Sequence, residues 1–280
     1  MQIVNKSISN DNKTIKFLQK TKDNIITETA FIEQEHRFII CFSSQLGCKI
    51  GCKICYNGIY PNFHRNLTKE EIVTQCQNVI SALDLKNKNK YILFSCMGIG
   101  EPLLNYDNVI NAIKDLNNIY ADSRFALATT GIKPEFIEKI AIDLENLSYF
   151  KLTVSLHATN DILRKELIPV TCSLDEIKRS VEKFKELSKH RFEWNYVLLK
   201  DINDSRKDAL ILIDFIDKSD KVKISILNEI DDCKYKKSNN LEEFIKVLEE
   251  KEIKYKVFSS SGTNIEIGCG QMLTHYNKLW

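Results

Sequence analysis

Two periods of apolar and polar residues alternate along this chain, and the switching between them predicts its architecture. Short apolar runs bounded by turn residues read as buried strands: Phe38–Phe42, Tyr91–Cys96, Phe125–Thr129, Lys151–Leu156, Phe192–Leu199 and Lys223–Leu227, with Ile253–Val257 as a last one. Segments of helical period lie between them. Thr68-Lys69-Glu70-Glu71 is a capping box. The helix it opens carries Ile72, Val73, Cys76, Val79, Ile80 and Leu83 on one face. Ser173-Leu174-Asp175-Glu176 is a second box, opening a helix to about Leu187. Further helices are expected over Asp107–Leu116, from Pro134 as a first helical residue, over Ser205–Ile216 and after Asn240. Before this series, the stretch to about Gln34 is polar, and Thr14–Leu18 and Ile25–Ile32 read as strands around a Lys20–Asn24 turn.

Strand–helix alternation implies right-handed crossovers and a parallel sheet. The expected fold is α/β, a partial (β/α)6 TIM-like barrel at residues 35–280, with a short N-terminal β extension at 1–34. Chemistry in such a barrel sits at the C-terminal strand ends. Cys48, Gly100-Glu101, Thr129-Thr130, Ser155, His157 and Asn228 all lie at or just after predicted strand ends.

Composition narrows the function classes. The chain has 280 residues, ordinary hydrophobic content and a formal net charge of +2, which excludes a disordered chain and neither demands nor excludes nucleic acid. No apolar stretch approaches a membrane span, and the start, Met1-Gln2-Ile3-Val4-Asn5-Lys6, lacks the apolar core of a secretion signal. The nine cysteines are therefore expected in a reducing cytosol, as thiols or ligands.

Three of them stand together. Cys48, Cys52 and Cys55 have the spacing C-x3-C-x2-C. Three thiolates hold three irons of a [4Fe–4S] cubane and leave the fourth iron open to chelate a small molecule. A structural zinc site is the alternative; it needs a fourth ligand, for which His64 is the nearest residue. The triplet resembles the signature of radical S-adenosylmethionine (SAM) enzymes.

Further islands follow in order: Gly98-Ile99-Gly100-Glu101-Pro102-Leu103-Leu104-Asn105, Ser155-Leu156-His157-Ala158, Tyr196-Val197-Leu198-Leu199 with Ile202-Asn203-Asp204, and Ile267-Gly268-Cys269-Gly270-Gln271. Taken singly, the first reads as a tight turn and the second as a strand end with a helix cap at Asn160 or Asp161. Together with Cys41-Phe42-Ser43-Ser44-Gln45-Leu46-Gly47-Cys48 and Arg65-Asn66-Leu67, they resemble the adenosine methylsynthases of the RlmN/Cfr family from about Thr27 to Met272.

That resemblance implies methylation of an adenine carbon, C2 or C8, in ribosomal or transfer RNA. It implies a [4Fe–4S] cluster on Cys48, Cys52 and Cys55, two SAM molecules per turnover, and a reductase or flavodoxin-type electron donor. Cys269 matches the cysteine that is methylated and carries the carbon; Cys41 matches the partner that releases product as a disulfide with it; Glu28 matches a glutamate near the substrate base; read by themselves, they are a tail thiol, a buried strand residue and a solvated strand residue. Glycines on both sides of Cys269 lower the barrier to the bending such an exchange needs. Gly100, Glu101, Thr129, Thr130, Ser155, His157 and Asn228 match SAM-binding positions, with Glu101 receiving the ammonium group.

The chain also departs from the pattern. The family's Ser-Thr-Ser-Gly is Ala128-Thr129-Thr130-Gly131, Ile54 replaces an aromatic residue, and Asn195 replaces the glutamate before Tyr-Val. Family members begin with a small helical RNA-gripping domain, whereas 27 residues precede Glu28 here. Basic runs at Lys86–Lys90, Lys189–Arg191 and Lys234–Lys237 are read first as solvated faces and second as RNA contacts. Two other functions stay open at this level: the same radical methylation on a non-RNA substrate, and a non-catalytic iron–sulfur or zinc protein binding RNA or a partner.

Overall fold

The computed structural model describes residues 1–265 and 271. Three strands, β1 (Gln2–Ile8), β2 (Thr14–Lys20) and β3 (Ile26–Glu33), form an antiparallel meander, and β4 (Arg37–Cys41) pairs antiparallel with β3. The loop after β4 holds a two-residue strand β5 (Gln45–Leu46), a one-turn helix α1 (Tyr56–Ile59) and β6 (Arg65–Asn66), which pairs back on β5. Alternation then runs α2 (Lys69–Ala82), β7 (Tyr91–Cys96), α3 (Tyr106–Ile119), β8 (Arg124–Thr129), α4 (Pro134–Asp143) and β9 (Phe150–Ser155). It continues with α5 (Asp161–Leu167), α6 (Leu174–Leu187), β10 (Arg191–Leu198), α7 (Arg206–Phe215), β11 (Lys221–Ile226), α8 (Leu241–Glu250) and β12 (Lys254–Phe258).

Among the described residues ten strands form one sheet in the order β1-β2-β3-β4-β7-β8-β9-β10-β11-β12, parallel from β4 onward. Among the described residues the order ends at β12 without returning to the first strand, which matches the expected partial barrel, with the last predicted strand present. The N-terminal meander continues the same sheet and has one strand more than the pattern predicted. β1 escaped because most of its side chains are solvent-exposed, so no buried face marks it.

Local chemistry sets the helix starts. In α2 the Thr68 hydroxyl accepts from Glu71 N (3.2 Å) while the Glu71 carboxylate accepts from Thr68 N (3.0 Å), and Ser173 and Glu176 do the same at α6. A third box, Ser205 with Asp208, caps α7 with the shorter acid. The helices bury one face of the sheet, where Phe38, Phe94, Phe125, Leu152, Trp194 and Ile224 lie. Each such large side chain contributes on the order of 2–3 kcal/mol by leaving water.

Because side chains alternate across a strand, the residues between these core positions face the other, concave side. That face is polar: Cys41, Ser95, Thr153, Ser155, Glu193 and Asn195 stand on it. Strand register aligns Cys41 with Ser95, Ser95 with Ala126, and Ala126 with Lys151. A floor of small side chains therefore separates Cys41 from the charged residues of the later strands.

Candidate active site

β4 delivers the cysteine loop, and close backbone contacts shape it. A Cβ on Gly58 would sit 2.0 Å from the Cys52 carbonyl oxygen, and one on Gly47, at φ +77°, 2.3 Å from the Asn62 carbonyl oxygen. Only glycine fits either place. Lys53 N donates to Leu167 O (2.9 Å), and Cys233 Sγ donates to Lys53 O (3.5 Å). Cys48 and Cys52 pack against a small apolar cluster of Ile50, Ile54, Ile99, Leu167, Leu227 and neighbours, separate from the main core.

Cys48, Cys52 and Cys55 are half-buried cysteines. Burial pushes Cys48 up to about 12, helped by Cys55 and Glu101. Burial also raises Cys52 well above the thiol range, followed by Cys55, Cys48 and Glu101, while Arg164 pulls it down. Burial keeps Cys48 and Cys52 protonated unless a cation compensates them, a charge that bound iron would supply. The donor set thus fits an iron–sulfur cluster. Among the described residues no three His, Cys, Asp or Glu side chains are already grouped as ligands of one ion.

The next strand end supplies a carboxylate. Gly100, at φ +106°, lets the turn press against Ser44 and Gln45, where a Cβ would lie 2.6 Å from Gln45 Cβ. Glu101 N donates to Gln45 Oε1 (2.9 Å). The buried Glu101 carboxylate accepts from Leu103 N (3.0 Å) and Thr129 Oγ1 (2.5 Å) on one oxygen, and from Thr130 N (2.8 Å) and Thr130 Oγ1 (2.9 Å) on the other. Burial raises its pKa, and the bonds from Thr129, Thr130 and Leu103 oppose that rise. Glu101, Thr129 and Thr130 are therefore one constellation, and both hydroxyls are used despite Ala128.

Arg164 on α5 was not foreseen from sequence. It is fully buried, and its guanidinium donates to Thr130 O (2.6 Å), Ser155 O (2.9 Å) and Thr171 Oγ1, so it ties the ends of β8 and β9. Burial lowers its pKa to about 10, against the attraction of Cys52 and Asp161. A usable signal existed: Asn160 caps α5 by accepting from Leu163 N (2.8 Å), which places Arg164 one turn in. The preceding His157 has φ +58° and is buried. Its Nδ1 accepts from Val197 N (3.3 Å), and burial, then Arg164 and Lys223, lower its pKa to about 3, so it is neutral. Asn203 fastens this turn by donating to His157 O (2.8 Å) and Val197 O (2.9 Å). Ser155 is half-buried just before it, and Asn228 donates to Ser260 Oγ (2.9 Å) across the β11 and β12 ends.

Cys41 ends β4 on the concave face and is half-buried. Glu28 faces the same side from β3 and is buried rather than solvated; Lys16 Nζ lies 3.9 Å from its Oε1, and Ser43 Oγ donates to its backbone oxygen (2.7 Å). Cys269 lies outside the described residues. The remaining described cysteines behave as packing residues: Cys76 and Cys96 are buried in the core, and Cys172 Sγ donates to Ile132 O (2.9 Å). Parts of the basic runs are engaged within the fold, Lys90 with Glu33 (2.7 Å) and Lys234 with Glu166 (2.7 Å).

Known proteins agree with this arrangement. The model of the radical SAM superfamily matches residues 42–213. A probable dual-specificity RNA methyltransferase RlmN from Thermosipho melanesiensis is 34% identical over 97% of this chain and 79% of its own length. A dual-specificity RNA methyltransferase RlmN from Wigglesworthia glossinidia brevipalpis is 33% identical over 97% of this chain and 73% of its own. A solved radical SAM methyltransferase from Sphaerobacter thermophilus superposes with a TM-score of 0.88 at 28% identity, covering 98% of this chain and 81% of that one. With the cysteine loop, the strand-end carboxylate and the open parallel sheet in place, these similarities mean that the chain belongs to the radical SAM superfamily and, within it, to the RlmN family of methyltransferases.

Proposed function

We propose that this enzyme methylates an sp2 carbon of adenine, C2 or C8, in RNA, carrying the carbon on Cys269. Membership in the superfamily brings a [4Fe–4S] cluster and SAM. In this reading Cys48, Cys52 and Cys55 hold the cluster, and Gly100, Glu101, Thr129, Thr130, Ser155, His157 and Asn228 surround SAM. The observation that carries it is that one strand, β4, ends in Cys41 and delivers the three cysteines, with Glu101 at the end of the adjacent strand. The RNA substrate rests on the relatives, which are named RNA methyltransferases.

When bound, the cluster and SAM supply a methyl group for displacement and an electron-triggered radical that abstracts hydrogen; two SAM are used per turnover. The Cys269 thiolate accepts the methyl on sulfur. After that methyl loses hydrogen, its carbon bonds to the adenine ring, joining protein and RNA through Cys269. In this reading Glu28 lies beside the substrate base, and the ring becomes aromatic again by losing its proton to a base and its odd electron to the redox chain that supplied the first electron. The Cys41 thiolate attacks the Cys269 sulfur; an S–S bond forms, the C–S bond breaks with its electron pair on carbon, that carbon takes a proton to become the methyl group, and the disulfide left behind is reduced by an external thiol before the next turnover. The electron comes from an external flavodoxin or reductase-type donor, which also fits a reducing cytosol. No helix among the described residues is long and apolar enough to cross a membrane.

Mass spectrometry of the anaerobically reconstituted enzyme after incubation with SAM tests this reading. It predicts about four irons per chain and a methyl group on the Cys269 peptide. Stoichiometric zinc, or an unmodified Cys269 in iron-loaded protein, overturns it.

A further inference from the structure

Just past Cys41 the sheet parts, and a helix side chain enters the gap. β3 and β4 pair from Glu33 with Phe38 to Ala30 with Cys41, and from there β3 runs on to Ile26 in register with β2. The other edge of β4 stays paired one residue longer: Phe42 N donates to Ser95 O (2.9 Å) and Gly98 N donates to Phe42 O (3.0 Å). Successive residues of an extended chain turn their amides to opposite sides, so N and O of Ser43 face the parting. Gln75 of α2 meets both. Its Oε1 accepts from Ser43 N (2.9 Å) and its Nε2 donates to Ser43 O (2.8 Å). One side-chain amide thus makes the two bonds of a strand partner.

The amide is held in that orientation from behind. Thr29 Oγ1 donates to Gln75 Oε1 (3.1 Å), which fills both lone pairs of that oxygen. Gln19 Nε2 donates to Thr29 Oγ1 (3.0 Å) and to Gln75 O (2.9 Å), and Asn78 Nδ2 donates to Gln19 Oε1 (2.8 Å). Gln19, Thr29, Ser43 and Gln75 are all fully buried. A satisfied buried network of this kind specifies one arrangement of its members.

What the network fixes lies on the other side of the sheet. Side chains alternate along β3, so Thr29 faces α2 while Glu28 faces the concave side with Cys41. Ser43 Oγ donates to Glu28 O (2.7 Å). Gln75 therefore ties the chain two residues past Cys41 to the chain one residue past Glu28. The turn that carries Glu101 depends on this knot for one bond, Ile99 N to Ser43 Oγ (3.0 Å). It has three others: Ser44 N and Gln45 N donate to Ile99 O (2.9 and 3.2 Å), and Glu101 N donates to Gln45 Oε1 (2.9 Å).

We propose that Gln75 is a positioning residue for product release: its amide stands in for the missing strand partner of Ser43 and so fixes Cys41 and Glu28 relative to each other. This rests on the RNA-methylation reading above. Release needs the Cys41 sulfur in line with the Cys269 sulfur and the bonded carbon. A displacement on the order of 1 Å slows such an intramolecular step by up to about a hundredfold.

The experiment expresses the full-length wild type, Cys41→Ala, Gln75→Met and Gln75→Glu in cells and analyses the Cys269 peptide by mass spectrometry. Methylated and nucleotide-linked Cys269 together report the earlier steps; the linked share reports release. Gln75→Met is expected to raise the linked share severalfold above wild type while the total and the iron content stay at wild-type levels. A linked share equal to that of wild type, or a falling total with no rise in the share, overturns the inference and leaves Gln75 a packing residue. Gln75→Glu has the same shape and decides alone if Gln75→Met does not load iron. Its carboxyl makes every one of these bonds when protonated and cannot donate to Ser43 O when ionised. The groups bonded to it from β2, β3 and the chain after β4 are uncharged; Lys16, Glu28 and Cys41 stand on the opposite face, and Cys76 beside it on α2 is held as a thiol by burial. Its isolated adduct should therefore resolve more slowly as pH rises, opposite to ordinary thiolate attack, which speeds up with pH. Resolution that speeds up with pH in Gln75→Glu as in wild type overturns the inference. Absence of linked nucleotide in Cys41→Ala overturns the methylation reading itself, and that arm is independent of Gln75.

Discussion

Replacing Glu101 by glutamine perturbs one atom at the centre of the candidate SAM site. The carboxylate has about four acceptor directions, and all are filled, by Leu103 N, Thr129 Oγ1, Thr130 N and Thr130 Oγ1. Whichever way the glutamine amide is turned, its NH2 faces one backbone N–H and one hydroxyl. The hydroxyl can rotate to accept; the N–H of Leu103 or Thr130 cannot, and an orphaned buried donor costs about 1–3 kcal/mol. Relief from burying a charge offsets part of this, so the net loss in stability is at most about 1–3 kcal/mol and the variant folds. The effect on the ligand is larger. An ammonium reaching Glu101 displaces a hydroxyl, since the backbone donors are fixed, and gains a charge-assisted bond of about 1.5–3 kcal/mol. Its loss weakens SAM binding about ten- to hundredfold. Calorimetric titration of SAM into the anaerobic, iron-loaded variant, with a thermal melt of the same sample, measures both. A folded, iron-loaded Glu101→Gln enzyme that binds SAM as tightly as the wild type would refute the assignment of Glu101 to the ammonium.

Two further predictions come from the loop and from the turn at His157. Gly58→Ala places a methyl group 2.0 Å from the Cys52 carbonyl oxygen, so the loop must open; reconstitution should yield well under half the wild-type iron while far-UV circular dichroism stays native, and full iron loading contradicts the tight-loop reading. His157 is held neutral in the fold, with a pKa of about 3, mainly by burial. Unfolded, it titrates near 6.5, so its contribution is present above that pH and lost as pH falls toward 3, by about 1.4 kcal/mol per pH unit. His157→Asn, which tolerates a positive φ and keeps an acceptor for Val197 N, should flatten the stability profile between pH 6.5 and 5 by that slope; an unchanged slope counts against it.

Much of the site was legible because its chemistry is local in sequence. The C-x3-C-x2-C loop, Gly100-Glu101 and Ser155 through His157 each follow an apolar run, and capping boxes at Thr68 and Ser173 marked two of the helices. The cap at Asn160 marks where Arg164 sits, but the roles of Arg164 and Gln45 were not legible, because they depend on carbonyls and amides brought from other strands. Glu28 was ambiguous for a related reason: as a lone acid in an alternating strand, it reads as solvated until the neighbouring strands cover it. Lys151 and Lys256 are far apart in sequence, and only the parallel register brings them both to the Glu193 carboxylate.

The central claim is that Cys41 and Cys269 act as a pair on an RNA adenine. Cys41→Ala removes the thiol that frees the product and leaves the earlier steps intact. Expressed in cells and purified under denaturing conditions, this variant should carry a covalently attached RNA fragment at the Cys269 peptide, joined through a one-carbon bridge to adenine. A Cys41→Ala enzyme that is iron-loaded and methylated on Cys269 yet carries no nucleotide, or that carries a different molecule, would contradict the account.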